Sequence, residues 1–385
     1  MSELATHGEQ QPGGHEPIDV LVVGGGVIGL SIAWRCAQRG LRTTLLERGK
    51  LGEGASRAAA GMLAPVSEME LGAAGRRILD LGLQAAQMWP DFASELSEAT
   101  GIPSQLRADG ALMIAHDRDA AEALERAIVF RAELGLEVKR LLASEARELE
   151  PALAPTVRLA ASLPTEQSVD PRWLSQALAD AARSAGAILL EEMGVSSLLR
   201  AGDRVGGVRL TDGSSVTASR VVVAAGAWSG TLGEVPVRPV KGQIVRLRDP
   251  GGAGLLSRVL RFEGGYLVPR GDGRYTLGAT VEEQGFATSL TANAAYQLLR
   301  DASRVLPAVL ELELEEITYG FRPGTPDNVP VIGNDSLKGL LWATGHYRNG
   351  ILLTPVTAQL VLAALDGSPH PDDALLAPAN SADRD

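Results

Sequence analysis

Three glycines near the beginning of the chain, Gly24, Gly26 and Gly29, form the pattern G-x-G-x-x-G. In such a pattern the first glycine permits a tight turn, the second lets the backbone approach a pyrophosphate, and the third allows a helix to pack closely on a strand. The helix that follows offers unpaired N–H groups and a positive dipole end, and both favour a phosphate. The three glycines, with Val27 and Ile28 between the last two, therefore predict a dinucleotide-binding loop.

An acidic residue, Glu47, stands about 20 residues after Gly26. A carboxylate at this distance, at the end of the next strand, is expected to accept hydrogen bonds from ribose hydroxyls. It also disfavours NADP, because the additional 2′-phosphate of that cofactor needs a cationic partner. The spacing alone does not distinguish FAD from NAD.

The elements around these residues must bring them to one edge of a parallel sheet. Ile18–Val23 is a continuous, largely β-branched run, which is typical of a strand buried on both faces. Val27–Gln38 is predicted to be a helix that Gly40 terminates, and Leu41–Leu46 is predicted to be a second strand. The order strand, helix, strand is the βαβ unit that opens a Rossmann-type fold.

The rest of the chain mixes helical and β-hairpin patterns. The apolar positions between residues 78 and 92 have helical spacing, but Pro90 interrupts them and suggests two helices. Pro151–Pro164 has no clear pattern and is interpreted as irregular. Ser215–Ala224 is predicted to be one strand after an Asp-Gly turn, and a second hairpin is expected around Gly271–Gly273.

This order indicates an α/β protein with a Rossmann-type domain built from discontinuous segments. The inserted second domain is expected to be α+β, to be dominated by an antiparallel sheet, and to hold the substrate. The predicted nucleotide-binding domain comprises residues 17–105, 165–237 and 323–368, and the substrate domain comprises 106–164 and 238–322. Residues 1–16 are interpreted as a disordered tail, and residues 369–385 as a C-terminal tail.

The composition excludes several classes of function. The chain has 385 residues and a formal net charge of −11, and it has no block of Lys or Arg that would bind a nucleic acid or a membrane surface. The single cysteine, Cys36, cannot form an intramolecular disulfide. We find no Ser/His/Asp set and no metal-ligand spacing, so no metal is expected. Without a signal peptide or a membrane-spanning run, the expected location is the cytoplasm.

Several further segments resemble one family, the D-amino acid oxidase superfamily, and within it the glycine oxidases linked to thiamine biosynthesis. The resemblance extends from about residue 17 to residue 368, and its segments occur in the expected order. These segments are Gly24–Gly29, Glu47-Arg48, Ala55-Ser56, Ala58–Leu63, Val221–Trp228, Val240–Gly242, Tyr266–Arg270, Gly278–Thr280, Arg322–Asp327 and Gly345–Leu353.

The resemblance implies noncovalently bound FAD. The residues expected to contact it are Gly24, Gly26, Val27, Ile28, Gly29, Glu47, Arg48, Ala55, Ser56, Ala60, Gly61, Met62, Val195, Gly345, His346, Tyr347, Arg348, Asn349, Gly350, Ile351 and Leu352. The small side chains before Met62 suit a backbone that passes close to a flat ring. The loop before the last helix is expected to aim N–H groups at the flavin, where they stabilise the negative charge of its reduced form.

The resemblance also implies an amino-acid substrate. Arg322 is expected to bind the substrate carboxylate, because a guanidinium binds a carboxylate with two parallel hydrogen bonds. Arg348 and Tyr266 are the other expected catalytic-site residues, and His346 is interpreted as positioning its loop. The implied reaction transfers a hydride from the substrate Cα to flavin N5. O2 then reoxidises the flavin to give H2O2, and the imine yields glyoxylate and ammonia or enters thiazole synthesis.

Three questions stay open on the sequence. Gly264 and Val281 stand where related sequences carry larger residues, so glycine, sarcosine and small D-amino acids are all candidate substrates. A dehydrogenase of the same fold that uses a quinone or a carrier protein is an alternative, as is a non-catalytic flavoprotein partner. The family also implies a homo-oligomer, expected to be a tetramer, and a functional link to thiazole synthase.

Overall fold

A computed structural model describes residues 17–70, 72–252 and 254–367 of the chain. The two predicted tails, 1–16 and 369–385, lie outside these residues. The helices are α1 (Val27–Gln38), α2 (Ala55–Ala58), α3 (Gly72–Thr100), α4 (Arg118–Glu133), α5 (Ala143–Leu149), α6 (Pro171–Ser184), α7 (Ala292–Val305) and α8 (Thr354–Leu365), with 3-10 helices at Gly226–Thr231 and Pro307–Glu311.

The strands are numbered in chain order. They are β1 (Val20–Val23), β2 (Thr43–Leu46), β3 (Met62–Leu63), β4 (Leu106–Arg107), β5 (Ala111–Ala115), β6 (Lys139–Leu142), β7 (Leu159–Leu163), β8 (Gln167–Val169), β9 (Ile188–Leu190), β10 (Val195–Ala201), β11 (Arg204–Leu210), β12 (Ser215–Thr217), β13 (Val221–Val223), β14 (Arg238–Arg248), β15 (Val259–Phe262), β16 (Gly265–Pro269), β17 (Arg274–Gly278), β18 (Glu313–Gly324), β19 (Val331–Asn334) and β20 (Leu340–Thr344).

The first sheet has six strands in the order β19-β20-β13-β1-β2-β9, and all neighbours are parallel except β19 and β20. Strand β1 is buried on both faces, as its continuous apolar run predicts. Val20 and Val22 belong to one hydrophobic core with residues of helices α1, α3, α6 and α8. Leu21 and Val23 pack on the opposite side, against the three-stranded sheet β10-β11-β12. The sheet therefore lies between a helical layer and a β layer.

The second sheet has eight strands in the order β18-β14-β17-β16-β15-β5-β7-β6. Its neighbours are antiparallel except for β15 and β5. Helix α7 covers one face through Leu298 and Ala302, which belong to the core of this sheet. The strands of each sheet come from the segments expected for one of the two predicted domains, apart from the end of β18, which crosses the boundary at residue 322. The division of the chain into two domains at these boundaries stays a prediction.

Three local predictions are wrong. Helix α3 continues through Pro90, because the buried Trp89 and Phe92 anchor the helix on both sides of the proline. The stretch Pro151–Pro164 contains strand β7, whose small residues gave no strand pattern but pair with β5 and β6. The predicted strand Ser215–Ala224 is divided between β12 and β13, which belong to different sheets.

Over the described ranges 17–70, 72–252 and 254–367, no helix combines the length and the apolar character that crossing a bilayer requires.

Candidate active site

One cavity of about 1150 Å³ brings most of the predicted site residues together. Those that line it are Gly24, Gly26, Val27, Ile28, Glu47, Arg48, Ala55, Ser56, Ala60, Gly61, Met62, Val195, Tyr266, Arg322, His346, Tyr347, Arg348, Asn349, Gly350 and Ile351. Three predicted cofactor contacts, Gly29, Gly345 and Leu352, do not line it. Leu352 is buried in the helical core because the chain turns into α8 at this point, and its carbonyl accepts a hydrogen bond from Trp89 Nε1.

The glycine-rich loop has little room for side chains. Gly24 has a φ of +112°, and a methyl group there would lie 2.4 Å from the carbonyl oxygen of Ala224. A methyl group on Gly29 would lie 1.9 Å from the carbonyl oxygen of Gly24, which explains how this glycine acts without lining the cavity. Helix α1 begins at Val27, and its N-cap residue Gly26 has no side chain to cap it. This backbone cradle at a helix N-terminus fits the pyrophosphate of FAD.

Glu47 organises the same loop. Its Oε2 accepts a hydrogen bond from the Gly25 N–H at 2.6 Å, and its Oε1 accepts one from the Gly49 N–H at 2.9 Å. The next residue, Arg48, lies with its guanidinium carbon 3.5 Å from the centre of the Trp228 ring, in a cation–π contact. Both side chains line the cavity, so a carboxylate and a stacked cation face the expected position of the adenosine.

Replacing Glu47 with alanine is expected to weaken FAD binding about tenfold or more, because two amides lose a charged acceptor worth about 1.5–3 kcal/mol each. Titration of the apoprotein with FAD, followed by flavin fluorescence, measures this change. Glu47→Gln is the matched control, because it keeps one oxygen acceptor and the side-chain shape. If Glu47→Ala binds FAD as tightly as the unmodified protein, the ribose and loop roles of Glu47 are wrong.

The small-residue segment before Met62 is fastened by a buried arginine that we did not single out from the sequence. Arg270 Nη2 donates to the Ala60 carbonyl at 2.7 Å, and its Nη1 donates to the Val169 carbonyl at 3.0 Å. Burial lowers the pKa of Arg270 to about 10, so it stays charged at neutral pH. Gly61 has a φ of +73° and abuts the Val169 carbonyl. These contacts hold the segment in place, so its small side chains can form a fixed wall beside a planar ring.

The loop between β20 and α8 forms another wall of the cavity. His346 is buried, and its Nε2 lies 3.0 Å from Thr357 Oγ1 in the first turns of α8. Burial lowers the pKa of His346 to about 3, so the ring is neutral at physiological pH. The Tyr347 N–H donates to the Pro323 carbonyl at 2.9 Å, which ties this loop to the end of β18. The contact between His346 and Thr357 joins this loop to α8, and the role of His346 in positioning the loop stays a prediction.

Arg322 projects into the cavity from β18. Its Nη1 donates to the carbonyls of Thr280, at 3.0 Å, and Lys241, at 3.3 Å, which fixes the guanidinium. Burial lowers its pKa, and Tyr266 and Arg348 are near enough to influence it. The three predicted catalytic-site residues therefore meet at one end of the cavity. A fixed guanidinium beside a phenol is suited to binding a small carboxylate.

Two further charged residues at this end were missed at the sequence level. Arg261 on β15 pairs with Glu68, and Glu68 Oε2 also lies 3.7 Å from Arg348 Nη1. All three line the cavity. Neither Arg261 nor Glu68 belongs to a recognisable motif. They come together only because the segment before α3 folds over the second sheet.

The segment that carries Glu68 is held by a buried acid. Glu166 accepts hydrogen bonds from the Ser67 N–H at 2.5 Å and from the Ser67 hydroxyl at 2.7 Å. Burial raises the pKa of Glu166 to about 7, although these hydrogen bonds and Arg131 favour the charged form. The folded protein therefore holds a proton on Glu166 in a pH range where the unfolded chain releases it.

Replacing Glu166 with glutamine should change how stability depends on pH. For a carboxyl whose pKa is raised on folding from 4.5 to about 7, the free energy of unfolding falls as the pH rises through that interval. The neutral amide of the Glu166→Gln variant has no such dependence. The variant should therefore gain up to about 3 kcal/mol relative to the unmodified protein between pH 4.5 and 7. Denaturant unfolding at several pH values measures this, and parallel pH profiles would contradict it.

Three surface side chains bring potential metal-ligand atoms close together. Within the described residues, the ligand atoms of His116, Asp117 and Glu263 lie within 4.8 Å of one another. The two carboxylates are exposed and the group is outside the cavity lining, so it is not part of the candidate active site.

The sequence and the fold were compared with known proteins. Residues 19–364 match the family model described as FAD dependent oxidoreductase (DAO). The chain is 38% identical over 350 residues to a glycine oxidase of Geobacillus kaustophilus, covering 89% of this chain and 91% of that protein. It is 36% identical over 348 residues to a bifunctional protein ThiO/ThiG of a Synechocystis species, covering 89% of this chain and 51% of that protein.

A solved structure agrees with these sequence matches. The crystal structure of the glycine oxidase from Geobacillus kaustophilus is similar with a TM-score of 0.88 and 36% identity, covering 94% of this chain and 98% of the other. The predicted α/β class and the Rossmann-type FAD-binding fold are therefore confirmed, and the choice between FAD and NAD is decided in favour of FAD. On this fold, this cavity and these matches, the chain belongs to the FAD dependent oxidoreductase (DAO) family.

Proposed function

We propose that this protein is an FAD-dependent oxidase that deaminates glycine or a close analogue such as sarcosine or a small D-amino acid. The observation that carries the proposal is the position of Arg322, whose fixed guanidinium faces the same cavity as the glycine-rich loop. The similarity to glycine oxidases over nearly the whole chain supports the same substrate class. The net reaction converts glycine, O2 and water into glyoxylate, ammonia and H2O2.

We assign the work of binding to three side chains. Arg322 binds the substrate carboxylate, and the hydrogen bonds from its Nη1 to two backbone carbonyls hold the guanidinium in place for this. Tyr266 donates a hydrogen bond to the same carboxylate, and Arg348 adds positive charge from the loop before α8. When bound, FAD would supply the two-electron acceptor for the hydride of the substrate Cα. The residues named above for the cavity wall would hold it.

The chain contributes mainly position and the exclusion of water, without a side-chain base. His346 lines the cavity, but its ring is neutral and its Nε2 contacts Thr357. The acid nearest the substrate end, Glu68, is paired with Arg261. A substrate whose amine is already neutral needs no base, and holding the reacting atoms in the correct arrangement then accounts for most of the acceleration.

The test is anaerobic reduction of the purified yellow protein by glycine, sarcosine, D-alanine, D-proline and a set of L-amino acids. We expect glycine or sarcosine to bleach the flavin, and equimolar H2O2 to form when O2 is admitted. Reduction without H2O2 would instead favour a dehydrogenase that uses a quinone or a carrier. If no amino acid bleaches the flavin, the protein is a non-catalytic flavoprotein and our proposal is wrong.

We also propose that the product serves thiazole synthesis for thiamine. The similarity to part of the bifunctional protein ThiO/ThiG supports this link. Deletion of the gene should then produce a thiamine requirement that a thiazole precursor relieves. The cytoplasmic location and the tetrameric state remain predictions.

A further inference from the structure

The guanidinium of Arg322 is held from outside its own strand. The side chain leaves β18, crosses the adjacent strand β14 at Gly242, and reaches the Thr280 carbonyl, to which Nη1 donates at 3.0 Å. A methyl group on Gly242 would lie 2.3 Å from this Nη1, so the guanidinium lies directly over the backbone of that glycine. Thr280 belongs to residues 279–291, which join β17 to α7. The position of the guanidinium therefore depends on where this segment lies.

The 279–291 segment follows an irregular path and pairs with β14 through an isolated bridge. In this bridge the Glu282 N–H donates to the Lys241 carbonyl at 2.9 Å, and the Lys241 N–H donates to the Glu282 carbonyl at 3.0 Å. The same Lys241 carbonyl accepts the second hydrogen bond from Arg322 Nη1, at 3.3 Å. Both carbonyls that hold Arg322 thus lie where this segment meets β14.

A buried ion pair fastens this contact. Lys241 Nζ lies 3.3 Å from Glu282 Oε2, and the Lys241 side chain is fully buried while that of Glu282 is 15% exposed. Lys241 Nζ also donates to the Ser289 carbonyl, further along the same segment. Breaking a buried ion pair is costly, because the remaining charge is left uncompensated. The pair therefore opposes movement of the 279–291 segment away from β14.

Glu282 connects this ion pair to Thr280. Its Oε1 accepts hydrogen bonds from the Thr280 hydroxyl at 2.5 Å and from Gln243 Nε2 at 2.8 Å. The Thr280 hydroxyl in turn accepts a hydrogen bond from the Gln243 N–H at 2.8 Å. A chain of polar contacts thus leads from Lys241 through Glu282 to Thr280, whose carbonyl holds Arg322.

We propose that Lys241 and Glu282 are positioning residues for substrate binding, and that they act on the substrate carboxylate through Arg322. Neither of them belongs to the described residues that line the cavity, so neither is placed to touch the substrate. A guanidinium binds both oxygens of a carboxylate only when its planar fork is aligned with them, and a fixed set of acceptor carbonyls provides this alignment. The inference rests on the proposed function, in which Arg322 binds the substrate carboxylate.

The test measures the binding of a carboxylate without its oxidation. Acetate has the carboxylate of glycine but no amine, so it should bind to the oxidised, FAD-loaded protein without reacting. Isothermal titration calorimetry gives its dissociation constant. We expect Glu282→Gln to raise this constant about tenfold, because the ion pair that fixes the Thr280 and Lys241 carbonyls is lost. The FAD content should not change.

A double-mutant cycle shows whether this effect passes through Arg322. In an Arg322→Lys background, Glu282→Gln should raise the dissociation constant of acetate by less than about threefold, because an ammonium group binds as a point charge and needs no planar alignment. A general loosening of the fold would weaken acetate binding by the same factor in both backgrounds. Glu315→Gln is the matched control, since Glu315 on β18 pairs with Arg248 on β14 outside the cavity lining, and its dissociation constant should not change.

The outcomes separate this inference from the proposed function. An equal factor in the two backgrounds, or no effect of Glu282→Gln where Arg322 is intact, overturns the positioning role even if glycine is oxidised. If acetate does not bind, or binds equally well after Arg322→Lys alone, the assignment of Arg322 is wrong and both proposals fall. The expected acetate results without flavin reduction by glycine would contradict only the proposed oxidase.

A second variant keeps the inference testable if Glu282→Gln does not fold. Thr280→Val removes the hydroxyl that links Glu282 to the Gln243 N–H, with little change in side-chain shape. It should weaken acetate binding about threefold where Arg322 is intact, as the loss of neutral hydrogen bonds predicts, and much less in the Arg322→Lys background. The same loss in both backgrounds would overturn the positioning role.

Discussion

Replacing Arg322 with alanine is expected to raise the dissociation constant of glycine by about two to three orders of magnitude, while the purified protein remains yellow. A carboxylate left without its cationic partner in a buried site costs about 3–5 kcal/mol. Burial of Arg322 is the main reason for its lowered pKa, so solvent does little to replace the lost charge. Anaerobic rapid mixing with glycine gives the dissociation constant separately from the rate of flavin reduction.

Arg322→Lys is the matched variant for this prediction. It keeps the positive charge but loses the planar fork, so we expect an intermediate loss of affinity. Because Arg322 also donates to the carbonyls of Thr280 and Lys241, the Tm and FAD content of both variants should be measured in parallel. Unchanged glycine binding in Arg322→Ala would refute the assignment of Arg322 to the substrate carboxylate.

Replacing Gly29 with alanine should produce a protein that is purified with little or no FAD. By helix propensity alone this change would stabilise α1 by about 1 kcal/mol. The added methyl group, however, would lie 1.9 Å from the Gly24 carbonyl oxygen, so α1 or the glycine-rich loop must move. A shift of either one removes N–H groups from the phosphate site, and the expected loss of FAD affinity is about a hundredfold or more.

Gly254→Ala is the control for this substitution. Its methyl group would have no heavy atom within 4 Å, and Gly254 does not line the cavity. The absorbance ratio of flavin to protein, and FAD titration of each apoprotein, compare the two variants. Normal FAD content in Gly29→Ala would show that the loop tolerates the displacement, and the close-packing argument would then fail.

The local pattern around the cofactor could be predicted because its determinants are adjacent in the chain. Helix α1 begins and ends at the predicted residues, since Gly26 and Gly40 bound a segment rich in apolar residues. The contact between Glu47 and Gly25 follows from the order strand, helix, strand, which places the ends of β1 and β2 side by side. Such features depend on short-range geometry.

The features that were missed depend on contacts between distant segments. Arg270 reaches the carbonyls of Ala60 and Val169, and Glu68 reaches Arg261, across separations that no local pattern encodes. The same limit explains α3, where packing of distant residues outweighs the local effect of Pro90. Charged side chains of this kind resemble ordinary surface residues until the fold brings them together.

The hydrogen bond from Tyr347 to the Pro323 carbonyl has a consequence for how substrate size can change. Because it joins the loop before α8 to the residue after Arg322, a main-chain contact fixes the separation between Arg322 and that loop. The end of β18 and the loop before α8 therefore cannot move apart to accommodate a larger substrate while this hydrogen bond is intact. Adaptation to a larger substrate must instead proceed by exchanging other side chains of the cavity lining, and Val281, which is about half exposed, is a position where such an exchange leaves Arg322 in place.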